Sequence, residues 1–425
     1  MQTVVAGGAS SDYVVSTTGE EGLAEIGTHR IRLINVDDNL VGVAADGTLQ
    51  LQWSYHLNQG LALCREHQWI PHIIIGHVLP APLAIKGVNG RVYGPSSWAI
   101  YDQYIQAFLD YVIVSQGFTE TEWEVGNEMS IPAQNWVAPV LPTSATDPAG
   151  FSAYSTLYSQ IATVIDNFRT QHPGTVLRVG GPAADVGWAI EFVDLVASKN
   201  VPADFVSLHA YGNQLNGTAM QTNISSIQQE MADQHLSVPI GITEWGPSTG
   251  STLNFEPIAG AFALEFASTI AQAGISDAIF LALSQFPTND WPVLYTTDQT
   301  PTDVMFAFEA LAALNGTEGT CTSSAGLSCV AVTSDDGTVS LVFWNFSWAG
   351  ARFPDTLTQA NETYTITVQP GVSATPAYTI QSAQLASGPW DQNANPIALV
   401  SSGTSIRLTI QIPYGSYGKV SLKPN

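Results

Sequence analysis

A chain of 425 residues is too long for one small core and calls for a large domain with a smaller companion. With 36 acidic against 12 basic side chains and a net charge of -24, its surface repels nucleic acid and anionic membranes, so neither is expected as a partner. Hydrophobic content of 45% excludes a disordered chain, and no apolar run reaches the ~18 residues of a spanning helix.

From the start to about residue 310, short apolar runs alternate with longer helical patterns. Strands are expected at 2–8, 29–36, 69–78, 121–128, 176–183, 205–212, 239–246 and 277–286, with helices between them such as 97–117 and 188–200. Several strands are apolar almost throughout, as in parallel sheets covered on both faces. Eight such strand–helix units describe an α/β fold, a (β/α)8 TIM barrel over residues 1–310. A doubly wound open sheet is the rival, but it does not need eight units, and the chain lacks a Gly-rich phosphate loop. Beyond residue 311 the helical period gives way to alternating runs, among them "GTVSLVFWNFSW", "ETYTITVQP" and "SIRLTIQIP". Turn residues separate them, and residues 311–425 are read as a C-terminal antiparallel β-sandwich domain. The aromatics of "LVFWNFSW" form either a buried strand or a sugar-binding face, and the buried strand is preferred.

Cys321 and Cys329 flank a Ser/Gly turn at a spacing that a hairpin disulfide could close, while Cys64 in a helical pattern reads as a buried thiol. Sequons at Asn216, Asn223, Asn315, Asn345 and Asn361 lean toward an extracellular, secreted product, with the periplasm as a variant. The start "MQTVVAGG" lacks the basic segment and apolar core of a secretion signal, which a mature chain with an added Met explains.

In a barrel the chemistry sits at the C-terminal ends of the strands. That rim offers Asn35, Asp37 and Asp38 after the second strand and His77 after the third. Asn127 and Glu128 follow at the fourth, His209 and Tyr211 at the sixth, and Glu244 and Trp245 at the seventh. Trp291 in "NDWPV" is read either as a sugar-stacking wall or as structural. Taken singly, a strand-end carboxylate is usually a cap, the Asp pair is balanced between pocket and loop-capping roles, and His77 between pocket and core. Glu128 and Glu244 differ, because ring closure brings the fourth and seventh strands across from each other. Two carboxylates across a cleft are what glycoside hydrolysis requires, one protonated and one ionised. His72 and His77, five apart on a strand, point opposite ways and cannot share a metal; no HExxH occurs, and neither a catalytic metal nor a cofactor is expected. "GPSTG" at 246–250 fits a serine-esterase pattern, but no histidine follows Ser248.

The segments "IRLINVDDNL", "WIPHIIIGHVLPAPLA", "TEWEVGNEMS", "VLRVGGPAADVGWAIEFVDLVASKNVPADFVSLHAYG" and "GITEWGPS" resemble, in order, glycoside hydrolase family 39 of clan A. That is a family of retaining β-xylosidases and α-L-iduronidases. The resemblance implies Glu128 as acid/base, Glu244 as nucleophile, Asn127 on the sugar 2-hydroxyl, Tyr211 donating to Glu244, and His209 supporting that corner. Trp123 or Met129 is expected to be the apolar neighbour of the acid. Gly126-Asn127-Glu128-Met129 stands where the family has Trp-Asn-Glu-Pro. Ile34 stands where it has a sugar-contacting histidine, a contact expected to pass to Asn35 or the Asp37–Asp38 pair. The expected function is an exo-acting β-xylosidase-like enzyme on plant or microbial polysaccharide fragments. An arabinosidase is one alternative; a uronic-acid-releasing enzyme, needing Arg32, Lys86 or Arg91 as a pocket cation, is another. From a different class, an inactive carbohydrate-binding barrel is disfavoured by the presence of both carboxylates.

Overall fold

The computed structural model describes residues 2–6, 17–86, 92–131, 150–211, 217–246, 257–275, 277–280, 294–295, 300–324, 327–346, 361–370, 377–385, 388–389, 397–402 and 405–425. Eight parallel strands come first: β1 (Gln2–Ala6), β2 (Arg30–Leu33), β3 (Ile70–Ile75), β4 (Glu120–Val125), β5 (Val176–Ala184), β6 (Phe205–Tyr211), β7 (Ile240–Gly246) and β8 (Asp277–Phe280). They follow one another round a ring in which β8 returns to pair with β1. Between β6 and β7 the Val206 amide donates to the Pro239 carbonyl at 3.0 Å. Each overlaps an expected strand, although residues 281–286 of the last lie outside the described residues.

Helices α1 (Thr17–Glu25), α2 (Tyr55–His67), α3 (Trp98–Leu109), α4 (Phe151–Gln171), α5 (Val186–Lys199), α6 (Gly217–Asp233), α7 (Pro257–Gln272) and α8 (Asp303–Ala312) alternate with these strands. Two short hairpins, Leu40–Val43 with Leu49–Leu51 and Ala84–Lys86 with Val92–Pro95, stand in the loops after β2 and β3.

Alternation on β4 decides what the ring interior contains. Trp123 turns outward, its ring edge-on to Phe108 of α3 at 5.4 Å and its Nε1 donating to Thr121. It therefore does not sit beside Glu128, contrary to the expectation of an apolar neighbour there. Glu122 and Glu124 turn inward and meet cations from β2 and β3. Arg30 pairs with Glu122 at 2.9 Å and with Asp277 at 2.8 Å; His72 lies 3.0 Å from Glu122 and 3.3 Å from Glu124. Burial alone would lower the His72 pKa, but the two carboxylates outweigh it and raise it. Such a ladder specifies more than it stabilises, because desolvation offsets most of the attraction. Near the N-terminal ends of the strands it borders a cavity of about 390 Å³ touched by Arg30, Glu120, Glu122, Arg178 and Asp277. This cavity is larger than the one beside Glu128, yet its charges are paired with each other and it lies away from the strand ends that carry Glu128 and Glu244.

Contacts group 1–14, 28–245 and 272–281 as one compact unit and 15–27, 246–271 and 282–425 as another. The grouping differs from a division at residue 310, which follows instead the change from helix to strand between Ala312 and Thr317. Within the second unit the cause is visible. Glu265 of α7 accepts from the Trp344 indole at 2.7 Å and from Ser328 at 3.0 Å. Gly260 has no side chain because a Cβ there would collide with the Tyr417 ring, whose hydroxyl donates to the Asp303 carbonyl at 2.9 Å.

The C-terminal strands are β9 (Thr317–Ser323), β10 (Ser328–Thr333), β11 (Val339–Trp344), β12 (Asn361–Gln369), β13 (Tyr378–Leu385), β14 (Gly388–Pro389), β15 (Ile397–Ser402), β16 (Ser405–Pro413) and β17 (Tyr417–Pro424). They form one antiparallel sheet in the order β14-β13-β17-β11-β10-β9-β12-β16-β15. The first residues of β9 pair with β10 and the last with β12, so the strand belongs to both halves. Leu341, Phe343, Ile366, Val368, Leu408 and Val420 from the two halves share one core. Phe343, Trp344 and Phe346 are all buried, so the aromatic run is core and not a sugar platform. Cys321 and Cys329 are bridged across β9 and β10, and Cys64 is a buried thiol whose pKa burial pushes up to about 12. Asn345 is buried too, leaving its sequon no room for a glycan.

Candidate active site

The site begins where β4 stops. Its strand ends at Val125, and the next three residues turn over the rim with Gly126 at φ +79 and Glu128 at φ +48. The Gly126 amide donates to the Ile75 carbonyl at 2.9 Å, and the Glu128 amide to the Ala183 carbonyl at 2.8 Å. A Cβ on Gly126 would lie 2.9 Å from Met129 Cγ and 3.2 Å from the Tyr154 ring. The glycine that departs from the family pattern is thus required both by the backbone turn and by the fully buried Met129 beneath it.

Arg32, wholly buried on β2, organises the floor. Its Nε donates to Glu124 at 2.6 Å, one terminal nitrogen to Glu244 at 2.5 Å, and the other to Asn127 Oδ1 at 2.8 Å. Burial alone would lower its pKa, but the Glu124 and Glu244 carboxylates more than offset that and raise it. Conversely, burial would raise the Glu124 carboxyl, yet the Arg32 and His72 charges hold it well below the carboxylate range. The contact to Oδ1 also orients Asn127, turning its NH2 away from the guanidinium.

Glu244 on β7 receives a second donor. The Tyr211 hydroxyl reaches its other oxygen at 2.5 Å, and burial followed by the adjacent Glu244 charge keeps that phenol protonated, its pKa well above the usual value. His209 Nδ1 lies 3.2 Å from Glu128 and 3.3 Å from Glu244. With carboxylates on both sides of Nδ1, the proton belongs on that nitrogen. Glu128, His209 and Glu244 bring ligand atoms within 4.8 Å of one another. The trio could hold a divalent ion between them, but Arg32 and Tyr211 already occupy the Glu244 oxygens. The two carboxylates are unequally placed: the Glu128 side chain is 22% exposed and that of Glu244 only 7%.

Other expected positions divide. Asn35 is half-buried at φ +57 on the loop after β2. Asp37 is buried beneath the rim, with Oδ2 accepting the His77 and Val78 amides at 2.9 and 3.0 Å, so it clamps two loops together. His77 lies close enough to Arg32 that burial and this charge push its pKa down to about 4, leaving a neutral ring bonded to the Asn127 backbone. Trp245 packs edge-on to Phe280 at 4.9 Å. Trp291 lies outside the described residues. Sequence reasoning missed Glu124 altogether, and Arg32 entered it only as a cation for a uronate.

Asp37 gives a pH prediction. Burial raises its pKa from 3.8 to about 7, so the folded chain holds a proton that the unfolded chain releases earlier. A raised folded value stabilises fully below the unfolded pKa, and that contribution is lost as pH climbs through about 7. Asp37→Asn keeps an acceptor without the titration. Its stability advantage over the parent should open across that interval to on the order of 4 kcal/mol. Urea unfolding as a function of pH measures it, and a pH-independent difference would contradict the buried-acid account.

Between Glu128 and the start of α5 lies a cavity of about 310 Å³, lined by Glu128, Ser130, Ile131, Ala184, Asp185, His209 and Tyr211. With the geometry in hand, the comparisons with known proteins are direct. The model of glycosyl hydrolases family 39 matches residues 35–244, a span that runs from Asn35 to Glu244. A β-xylosidase of Caldicellulosiruptor saccharolyticus is 27% identical over 179 residues, 38% of this chain and 33% of that protein, so the match spans about a third of the relative's length. A family 39 enzyme of Xanthomonas axonopodis pv. citri superposes with a TM-score of 0.74 at 16% identity, covering 100% of this chain and 94% of that one. A monomeric β-xylosidase of Caulobacter crescentus CB15 does so with 0.69 at 16% identity, covering 99% and 96%. At these identities the superpositions speak for the fold.

Proposed function

We propose, from the premise that over residues 35–244 the chain belongs to glycosyl hydrolases family 39, that it is a retaining glycosidase working by double displacement. The observation that carries this reading is that one oxygen of Glu128 and one of Glu244 lie within 4.8 Å of each other. Retaining enzymes hold their carboxyl groups roughly 5–5.5 Å apart, whereas inverting ones leave roughly 6.5–9.5 Å for a water.

The surroundings distribute the roles. Glu244, buried, accepts from Arg32 on one oxygen and from Tyr211 on the other, which holds it in one orientation, as a nucleophile needs. Glu128, the more exposed, exchanges protons with solvent and with a departing oxygen. In the first step Glu128 gives its proton to the glycosidic oxygen while a Glu244 oxygen bonds to the anomeric carbon. In the second, water replaces Glu244 on that carbon and returns a proton to Glu128, so two inversions retain the configuration. The NH2 of Asn127, aimed by Arg32, donates to the 2-hydroxyl, and the contact tightens as charge develops at the anomeric centre.

A neutral sugar fits best, with an exo-acting β-xylosidase first and an arabinosidase second. Arg32 is wholly buried and its charge is already paired with Glu124 and Glu244, which makes it a poor partner for a uronate. The side chains of Lys86 and Arg91 lie outside the described residues. An extracellular setting is part of the reading, supported by the Cys321–Cys329 bridge. A panel of 4-nitrophenyl glycosides at mildly acidic pH, with proton NMR of the first-formed sugar, tests the proposal. The β-xyloside should be cleaved fastest and the product should keep its anomeric configuration. An inverted product, or no cleavage of any glycoside by folded protein, rejects it.

A further inference from the structure

We infer that the cavity between Glu128 and α5 is the leaving-group subsite, and that Asp185 makes it select neutral or cationic leaving groups over anionic ones. This rests on the glycosidase reading and goes further, to the chemistry of the group released.

Position comes first. The acid delivers its proton to the departing oxygen, so that group must lie against Glu128 on the side away from Glu244. The cavity answers this description. Glu128 lines it and the nucleophile Glu244 does not, although Tyr211 and His209, which touch Glu244, close its inner end. Its wall is completed by Ser130 and Ile131 from the turn after β4 and by Ala184 and Asp185 from the end of β5. The main chain fixes that wall, since the Ile131 amide donates to the Glu128 carbonyl at 2.8 Å and the Glu128 amide to Ala183. His209, 5% exposed, lines the same cavity, which places the group that bridges Glu128 and Glu244 at its inner end.

Charge comes next. Glu128 and Asp185 are acidic, and among the described residues the lining contains no lysine or arginine. Asp185 is held on the rim by its capping bond, Oδ1 accepting the Trp188 amide at 3.2 Å. Among the described residues its second oxygen has no donor, which leaves it for a hydroxyl or a cation. Ile131, 41% exposed, adds an apolar surface on which a ring face can rest. The volume of about 310 Å³ is at the small end of ligand cavities, roughly 300–1,000 Å³, so it suits one ring and not a long chain. A carboxylated leaving group would enter against two carboxylates with no counter-ion among the described residues.

The test uses three aryl glycosides of one sugar, matched in leaving-group acidity and bearing a trimethylammonium, a neutral or a carboxylate substituent. For the parent, kcat/KM should fall in that order, with cation and anion separated on the order of tenfold. Asp185→Asn, which caps a helix as well as aspartate does, should bring the ratio close to one, and Asp185→Lys should reverse it. The effect should vanish in kcat for substrates limited by breakdown of the covalent intermediate, because the leaving group has by then departed. Equal kcat/KM for all three glycosides, or a preference that Asp185→Asn leaves unmoved, sinks the subsite alone. Failure of the folded parent to cleave any of them sinks the subsite together with the glycosidase reading.

Discussion

Replacing Glu244 by alanine should abolish turnover, on the order of 10⁴-fold or more, on every substrate, whereas Glu128→Ala should keep measurable activity on aryl glycosides with acidic leaving groups. The asymmetry follows from the two steps. Nothing replaces the oxygen that attacks the anomeric carbon, but a good leaving group departs without a proton. Azide sharpens the distinction. In Glu128→Ala it enters the unoccupied space and intercepts the covalent intermediate on the face opposite Glu244, yielding a glycosyl azide of retained configuration. In Glu244→Ala it takes the place of the nucleophile and yields the inverted azide. The same Glu128 variant should lose the alkaline limb of its pH–rate profile, since the group whose deprotonation ends activity is gone. Equal losses that azide does not rescue at either position would sink the assignment, and an inverted azide from Glu128→Ala would exchange the two roles.

Arg32→Met should cost more than a hundredfold in kcat/KM and about 3–5 kcal/mol in stability, although in the proposed mechanism no sugar touches this side chain. The guanidinium serves three acceptors at once. Without it Glu244 loses its guanidinium, Glu124 keeps only His72 as a charged partner among the described residues, and Asn127 loses the contact that sets its amide. Arg32→Lys should recover little, because a single ammonium does not reach three acceptors in a fork. The cause is separable by a second substitution. If the stability loss arises from stranded charge, Glu124→Gln should be harmful in the parent and partly restorative in Arg32→Met. The sign with pH agrees. Glu124 has a lowered folded pKa, so its stabilising pairing exists above the unfolded value near 4.3 and fades as pH falls through the folded one. The parent's advantage over Arg32→Met should therefore shrink in acid. Denaturant titrations that show additive effects of the two substitutions would refute a shared network.

These two predictions mark the limits of what sequence patterning carries. The ring was legible because its strands are apolar runs with helical stretches between them, and "GNE" and "TEW" were legible because strand ends carry a barrel's chemistry. Arg32 and Glu124 were not. They sit inside strands, 92 residues apart, and only ring closure joins them. Trp123 was misjudged for a related reason: three residues beyond β4 the chain turns back, so proximity to Glu128 in sequence says nothing about proximity in space. In the C-terminal region "TEGTCTS" shows no apolar alternation, yet it is the strand shared by both halves of the sheet. Its partners hold it, not its composition. Asp185 announces itself locally as a helix cap, a role that conceals its position on the wall of a cavity.

Glu128 occupies backbone territory that glycine and asparagine tolerate and glutamate does not, at a cost on the order of 1–3 kcal/mol. Selection for heat endurance alone would drift toward glycine at this position, and the resulting barrel would outlast its parent while losing the proton donor that the proposed mechanism needs for poor leaving groups. A thermostability campaign on this protein should fix residue 128 from the outset, because under the proposed mechanism robustness and turnover pull against each other within one side chain.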